Sequence, residues 1–422
     1  MNIQVQADRT LVRTSGNSTR YALLTFTAPE AATSRSRDPV NVAFVIDRSG
    51  SMGGEKIRLA RDAVVQALRM LRPTDRFAVV MYDNAIDVVV SSTEASAEAV
   101  RHAITQVEQI QARGNTNLGG GWLKGCEEIA VHLRHGQTSR CVLLTDGLAN
   151  EGITDRNNLA RHAEQLRSRG ITTTTIGLGA DFDEGLLEAM SHAGGGHFYF
   201  IEQPVQIADC LTSELGEALE TVARDVVVTV RPEAGVTVTT LNRFRMEPQQ
   251  GGGAAVSIGD VVSRQDVALV FKLVFPQGEK GRGTRALFSV SDTGGVLRAV
   301  TPDLVWTFGD HDANSAQRRN VVVDREVAKL YAAKAMSEAL ELNRRGRFEE
   351  AGAVLEKTAN RIRKYAGADP ELLEIVASLH ERRPDYSMVM PAMALKQEHY
   401  AVSNAMALRS GAGKARRSSP DA

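Results

Sequence analysis

The sequence predicts an α/β fold: a doubly wound, mostly parallel sheet inserted in an antiparallel β-sandwich and followed by an α-helical hairpin. Three observations carry this expectation. From residue 40 to 223, apolar runs such as Val42-Ala43-Phe44-Val45-Ile46 alternate with helical patterns; alternation with a period of two flanks this stretch on both sides; and a helical period begins near residue 324. The chain has 422 residues, 43% of them hydrophobic, which is enough to fill two or three cores.

Residues 1–38 supply the first strands of the sandwich. Ile3, Val5 and Ala7, then Ala22, Leu24, Phe26 and Ala28, alternate with polar neighbours, and Leu11-Val12 lies between them. This reads as two or three half-buried antiparallel strands, although Tyr21 and Leu23 blur the last one. The polar residues 31–38 form a linker. Residues 39–223 are the α/β domain, with strands at 41–47, 76–82, 86–91, 140–145, 171–178 and 197–201. Helices are expected at 55–71, 98–109, 119–133, 155–169, 184–193 and 206–223. In the first of these, Ile57, Ala60, Val64, Leu68 and Leu71 recur every three or four residues. The strand at 86–91 follows its predecessor across three residues, too short for a crossover, so it must be an antiparallel edge.

Residues 224–310 return to alternation, with Val226, Val228, Val230 and later Val267, Leu269, Phe271, Leu273 and Phe275, punctuated by Gly251-Gly252-Gly253. Together with residues 1–38 they complete one sandwich into which the α/β domain is inserted. Residues 320–382 read as a hairpin of helices at 324–343 and 348–365, then a third helix at 370–380. The stretch Gly346 to Ala351, with Leu355, is similar to half of a tetratricopeptide repeat, without a second copy. Residues 383–422 form a tail, Met- and Ala-rich without a clean period, whose basic end at 409–422 is expected to be disordered.

Composition excludes several classes of partner. A formal net charge of −1 recommends neither nucleic acid nor an anionic membrane. Three widely spaced cysteines, Cys126, Cys141 and Cys210, make no disulfide framework and suit a reducing compartment. No apolar segment approaches the length of a membrane span and the first residues lack a leader pattern, so a cytoplasmic location is expected. No Gly-x-x-x-x-Gly-Lys-Ser/Thr run occurs, which removes nucleotide hydrolysis by this chain.

The residues that carry chemistry sit at strand ends, where open α/β sheets bind ligands. Asp47-Arg48-Ser49-Gly50-Ser51 directly follows the apolar run at 42–46; Thr116 lies in Gly114-Asn115-Thr116-Asn117; Asp146 ends Leu143-Leu144-Thr145-Asp146. Carboxylates and hydroxyls are hard oxygen donors suited to Mg²⁺, with Mn²⁺ or Ca²⁺ as alternatives, whereas zinc would call for Cys or His. The competing reading makes Asp47 and Ser51 caps of the following helix.

This Asp-x-Ser-x-Ser pattern with its two downstream pieces resembles the metal-ion-dependent adhesion motif of the von Willebrand factor A family, over about residues 40–223. The resemblance implies that Ser49, Ser51 and Thr116 coordinate a metal directly or through water. It also implies that Asp47 and Asp146 bind the metal directly or hold its waters. The whole layout resembles the bacterial relatives of inter-α-inhibitor heavy chains and of calcium-activated chloride channel regulators. The function so implied is a metal-dependent protein–protein interaction module, not an enzyme, whose partner completes the metal shell with an Asp or Glu. Alternatives are an adaptor for a separate chelatase-type ATPase and a metal-dependent hydrolase. Elsewhere, His132 and His135 read as a solvated helix face, Gly194-Gly195-Gly196 as a turn, and Gly177 and Gly179 as sites of close packing.

Overall fold

The computed structural model describes residues 3–31, 39–134 and 137–417. Most of the linker expected at 31–38, His135, and residues 418–422 lie outside the described residues. The chain divides into two compact units, Met1–Glu30 with Val222–Ala422, and Ala31–Thr221. The second therefore interrupts the first in sequence.

The first unit begins with β1 (Ile3–Ala7), β2 (Leu11–Arg13) and β3 (Ser18–Thr27). The second unit contains β4 (Val40–Asp47), α1 (Glu55–Met70), β5 (Arg76–Tyr82), β6 (Ile86–Glu94), α2 (Ala97–Glu108), α3 (Leu118–Ala130), β7 (Thr138–Thr145), α4 (Arg156–Ser168), β8 (Ile171–Leu178), α5 (Glu184–Ala193), β9 (Gly195–Ile201) and α6 (Ile207–Leu219). Its six strands run in the order β6-β5-β4-β7-β8-β9. All neighbours are parallel except β5 and β6, whose antiparallel pairing makes β6 the expected edge.

Every residue of β4 and β7 is buried, because helices cover both faces of the sheet. Phe44 and Ile46 pack with α1, α2 and α6. On the other face, Ala43 and Val45 meet α3, which approaches closely enough that a Cβ on Gly125 would fall 2.2 Å from Val45 Cγ2. Glycine inside a helix costs about 1 kcal/mol relative to alanine. Here that cost secures a short helix-to-sheet distance.

The first unit continues with β10 (Thr221–Pro232), β11 (Thr237–Thr240), β12 (Arg245–Pro248), β13 (Ala254–Val262), β14 (Asp266–Phe275), β15 (Gly283–Ser291), β16 (Arg298–Val300) and β17 (Leu304–Gly309). One sheet has the order β1-β3-β14-β11; the other has β12-β13-β10-β15-β17-β2, with β16 beside β15. They share a core in which Phe271 meets Phe288 at 5.5 Å and Phe275 meets Trp306 at 4.9 Å between ring centroids. β3 and β14 pair over ten residues, from Ser18↔Phe275 to Thr27↔Asp266, so the start of the chain is stitched to a strand some 250 positions later. β2 was expected to be antiparallel but pairs parallel with β17.

Tyr21 and Leu23 break the alternation of β3 because its outer face is covered too. After a short helix α7 (His311–Ala316) comes α8 (Val321–Arg344), whose Val323, Val327 and Leu330 pack on Leu23 and Val270. The Tyr21 and Tyr331 hydroxyls meet at 2.9 Å. The hairpin partner is α9 (Phe348–Ala366) and the third helix is α10 (Pro370–Tyr386).

Three expectations are corrected here. Helix α6 ends at Leu219, not 223, and β10 starts at Thr221. The Met-rich stretch contains a fourth long helix, α11 (Ala392–Met406), held by few apolar side chains, chiefly Val402 and Met406, and by the Arg382–Glu398 pair at 2.7 Å, so no stripe marked it. Residues 409–417, expected to be disordered, are ordered by backbone contacts: Asp266 N donates to Arg416 O at 2.9 Å, and Gln265 bridges to Arg417. Their arginines serve the chain's own carbonyls, as when Arg416 Nε donates to Arg409 O at 3.1 Å. No described helix is long and apolar enough to cross a membrane.

Removing residues 1–28 strips β14 of its ten-residue partner and takes Leu24 and Phe26 from the sandwich core. The shortened protein should aggregate through the bared edge, while residues 39–223 expressed alone stay folded and monomeric. Size-exclusion chromatography and thermal melts check both; a monomeric deletion protein with the parental melt would contradict the stitching role of β3.

Candidate metal centre

Asp47 ends β4 and Asp146 follows β7, its neighbour in the sheet, so parallel pairing alone brings the two carboxylates to one rim. Thr116 comes from the loop ahead of α3. That loop is fixed from two sides. Thr116 N donates to Asn150 Oδ1 at 3.0 Å, and Asn117 N donates to Asp83 O at 2.9 Å, while the Asn117 side chain caps α3 by accepting from Gly120 N at 3.0 Å.

Four of the five expected residues form a continuous hydrogen-bonded chain. Ser49 N donates to Asp47 Oδ1 at 2.7 Å; the Ser49 and Ser51 hydroxyls lie 3.1 Å apart; Ser51 Oγ donates to Asp146 Oδ1 at 2.7 Å. The fifth, Thr116, flanks Gly147 together with Ser51: a Cβ built on Gly147 would lie 3.6 Å from Thr116 Oγ1 and 3.7 Å from Ser51 Oγ. Neither Asp47 nor Ser51 caps α1, whose N-cap is Gly54 and which receives no side-chain cap bond, and the short helical turn at Gly50–Met52 receives none either. The capping reading of the motif therefore fails.

The electrostatics explain what such a chain of oxygens lacks. Asp47 and Asp146 are both fully buried. Burial pushes the Asp47 carboxyl up to about 6, with Asp146 adding to the rise and hydrogen bonds from Thr145 and Ser49 holding it back. Arg48 adjoins Asp47 in sequence, but its guanidinium is engaged elsewhere, by Asp83 at 3.0 Å and by Asp87. The cation that does reach the rim is Lys56, which pairs with Asp146 Oδ2. Sequence reasoning missed it, because a lysine in the first turn of a helix carries no signal of its own. Two buried carboxylates facing one ammonium leave a negative charge without compensation, and the donors are all oxygens. A hard divalent cation fits that set.

A second constellation escaped sequence reasoning altogether. His197, Glu214 and Glu217 offer ligand atoms within 4.8 Å of one another. Both oxygens of Glu214 are already engaged: Oε1 accepts from Arg140 Nη1 and Thr174 Oγ1, each at 2.6 Å, while Oε2 accepts from Tyr199 OH at 2.7 Å and lies 3.0 Å from His197 Nδ1. Arg140 and His197 hold its carboxyl well below the usual range despite complete burial. This is an ion-pair network tying α6 to β7, β8 and β9, with Arg140 where a metal would meet repulsion. His132 joins no ligating cluster, and the three cysteines form no disulfide, among the described residues.

Comparison with known proteins gives a consistent placement. Residues 41–226 match the von Willebrand factor type A domain. The Escherichia coli protein YfbK is 27% identical over 247 residues, 57% of this chain and 42% of its own length. Human inter-alpha-trypsin inhibitor heavy chain H4 is 31% identical over 228 residues, 52% of this chain and 24% of its own. The chain thus spans less than half the length of these relatives. Two solved structures share the fold across nearly the whole chain. A von Willebrand factor type A protein from Catenulispora acidiphila has a TM-score of 0.68 at 19% identity, covering 99% of this chain and 97% of its own. The ArnB paralog VWA2 from Sulfolobus acidocaldarius has 0.61 at 19%, covering 97% and 98%.

The raised carboxyl of Asp47 sets a pH dependence. Its folded pKa lies above its ordinary 3.8, so folding takes up a proton, and the metal-free protein loses stability as pH rises from about 4 to about 6, by roughly 3 kcal/mol at most. Denaturant unfolding in chelator should show this slope in the wild type but not in Asp47→Asn. Parallel curves would mean that Asp47 is not destabilised by burial.

Proposed function

Because the chain carries a von Willebrand factor type A domain across residues 41–226, a family commonly used for metal-dependent protein–protein interaction, we propose that it binds a protein partner through a divalent ion. The ion is Mg²⁺, held by Asp47, Ser49, Ser51, Thr116 and Asp146, and the partner supplies an Asp or Glu carboxylate. The observation that carries this reading is the hydrogen-bonded chain from buried Asp47 through Ser49 and Ser51 to buried Asp146.

Charge gives the reading its chemistry. Two carboxylates and the Lys56 ammonium leave one negative charge; a divalent ion turns that into one positive charge at the rim of the sheet. An incoming carboxylate then neutralises the site. Mg²⁺ retains waters that such a ligand displaces, and Ser51, the exposed member of the set, marks the open side. Binding so driven depends on the metal and is reversible.

Calorimetric titration of the wild type should show Mg²⁺ binding that Asp47→Ala abolishes, with the fold intact by circular dichroism. A captured protein partner should be released by chelator without unfolding. Thr116→Ala should weaken the partner at least about tenfold while changing Mg²⁺ affinity less. Equal Mg²⁺ affinity in wild type and Asp47→Ala, or a partner retained in excess chelator, would overturn the proposal.

A further inference from the structure

Behind the oxygen chain sits a group that the fold goes to some length to place. Tyr82 ends β5 and pairs in register with Asp47 of β4. In-register neighbours of parallel strands project to the same face, so the Tyr82 ring, the Asp47 carboxylate and the Thr145 hydroxyl stand in one row. Thr145 Oγ1, donating to Asp47 Oδ2 at 2.6 Å, marks the direction of that row. The backbone locks the strand end, since Arg48 N donates to Tyr82 O at 2.9 Å.

Helix α3 makes room for the ring. A Cβ on Gly121 would lie 2.4 Å from Tyr82 Cγ and 2.5 Å from Cδ1, so only glycine lets the ring lie there. Tyr82 is fully buried, and its hydroxyl, within reach of Asp47 and Thr145, makes no well-formed hydrogen bond among the described residues. Packing alone would be served by phenylalanine, and leaving a buried hydroxyl unpaired is costly. A large polar side chain is thus held at the base of the metal-binding rim with its donor unspent.

We propose that Tyr82 is a positioning residue for the metal: once the ion is bound, its hydroxyl donates to the Asp47 carboxylate, or to a metal-bound water that Asp47 holds, and fixes the orientation of that ligand. This rests on the metal reading of the same site and names a residue outside its five ligands. Hydrogen bonds behind first ligands commonly change metal affinity by roughly 10- to 100-fold. The two states respond oppositely. Without metal, removing the hydroxyl relieves an unpaired buried group; with metal, it removes a bond.

The test compares wild type, Tyr82→Phe and Tyr199→Phe in the full chain. Tyr199 is the control because its hydroxyl already donates to Glu214 in the other network. Mg²⁺ titration by calorimetry should show affinity in Tyr82→Phe reduced by about tenfold or more, while its melting temperature in chelator equals or exceeds that of the wild type. Tyr199→Phe should show the reverse, a lower melting temperature in chelator and unchanged Mg²⁺ affinity. Tyr82→Phe binding Mg²⁺ as tightly as the wild type, or melting lower in chelator, would overturn the assignment of Tyr82 alone. A wild type that binds no Mg²⁺ would instead overturn the metal reading, and this assignment with it.

Discussion

The interaction on which the α/β unit turns is the burial of two carboxylates, Asp47 and Asp146, at the ends of adjacent parallel strands. Nothing in hydrophobic packing asks for them there, and neither is exposed to water. Their cost is shared among fixed donors: Ser49 N and Thr145 Oγ1 on Asp47, Ser51 Oγ and the Lys56 ammonium on Asp146. The donors neutralise only part of the charge. The remainder is the charge that the proposed ion would offset, and the sheet holds both carboxylates in place because strand ends in register cannot drift apart.

The same logic, with the opposite outcome, governs the network at Glu214. There a buried carboxylate is fully compensated by Arg140, His197, Thr174 and Tyr199, and its carboxyl is held low. One site is saturated with partners and ties elements together; the other keeps a charge deficit. The contrast lies in charge balance, since both contain carboxylates in the protein interior. The sandwich unit buries polar groups of its own, with Asp8 accepting from Tyr21 N and Arg20 donating to Asn314 Oδ1, and it is closed by the β3–β14 ladder and by aromatic contacts across its two sheets.

Much of this was legible in the sequence, for physical reasons that also explain the misses. β4 reads from Val42 to Ile46 because a strand covered on both faces needs apolar residues throughout, and Asp47 is legible as a site because a charge directly after such a run has no packing role. Lys56 is not legible, since a lysine in the first turn of a helix is ordinary; only the fold turns it toward Asp146. The Glu214 network is assembled from four elements and leaves no local spacing. Tyr82 looks like one more apolar residue at a strand end until Gly121 and the strand register show where its ring lies. α11 was missed because its few apolar anchors are spaced without a stripe, and residues 409–417 because backbone pairing has no compositional signature.

Whether the oxygen atoms at the strand ends hold the metal is decided by anomalous diffraction from crystals equilibrated with Mn²⁺, whose oxygen preferences follow those of Mg²⁺. One strong anomalous peak is expected within coordination distance of Ser51 and among Asp47, Thr116 and Asp146, absent from crystals of Asp47→Ala. A peak at His197, Glu214 and Glu217 instead, or no peak at the strand ends, would contradict it.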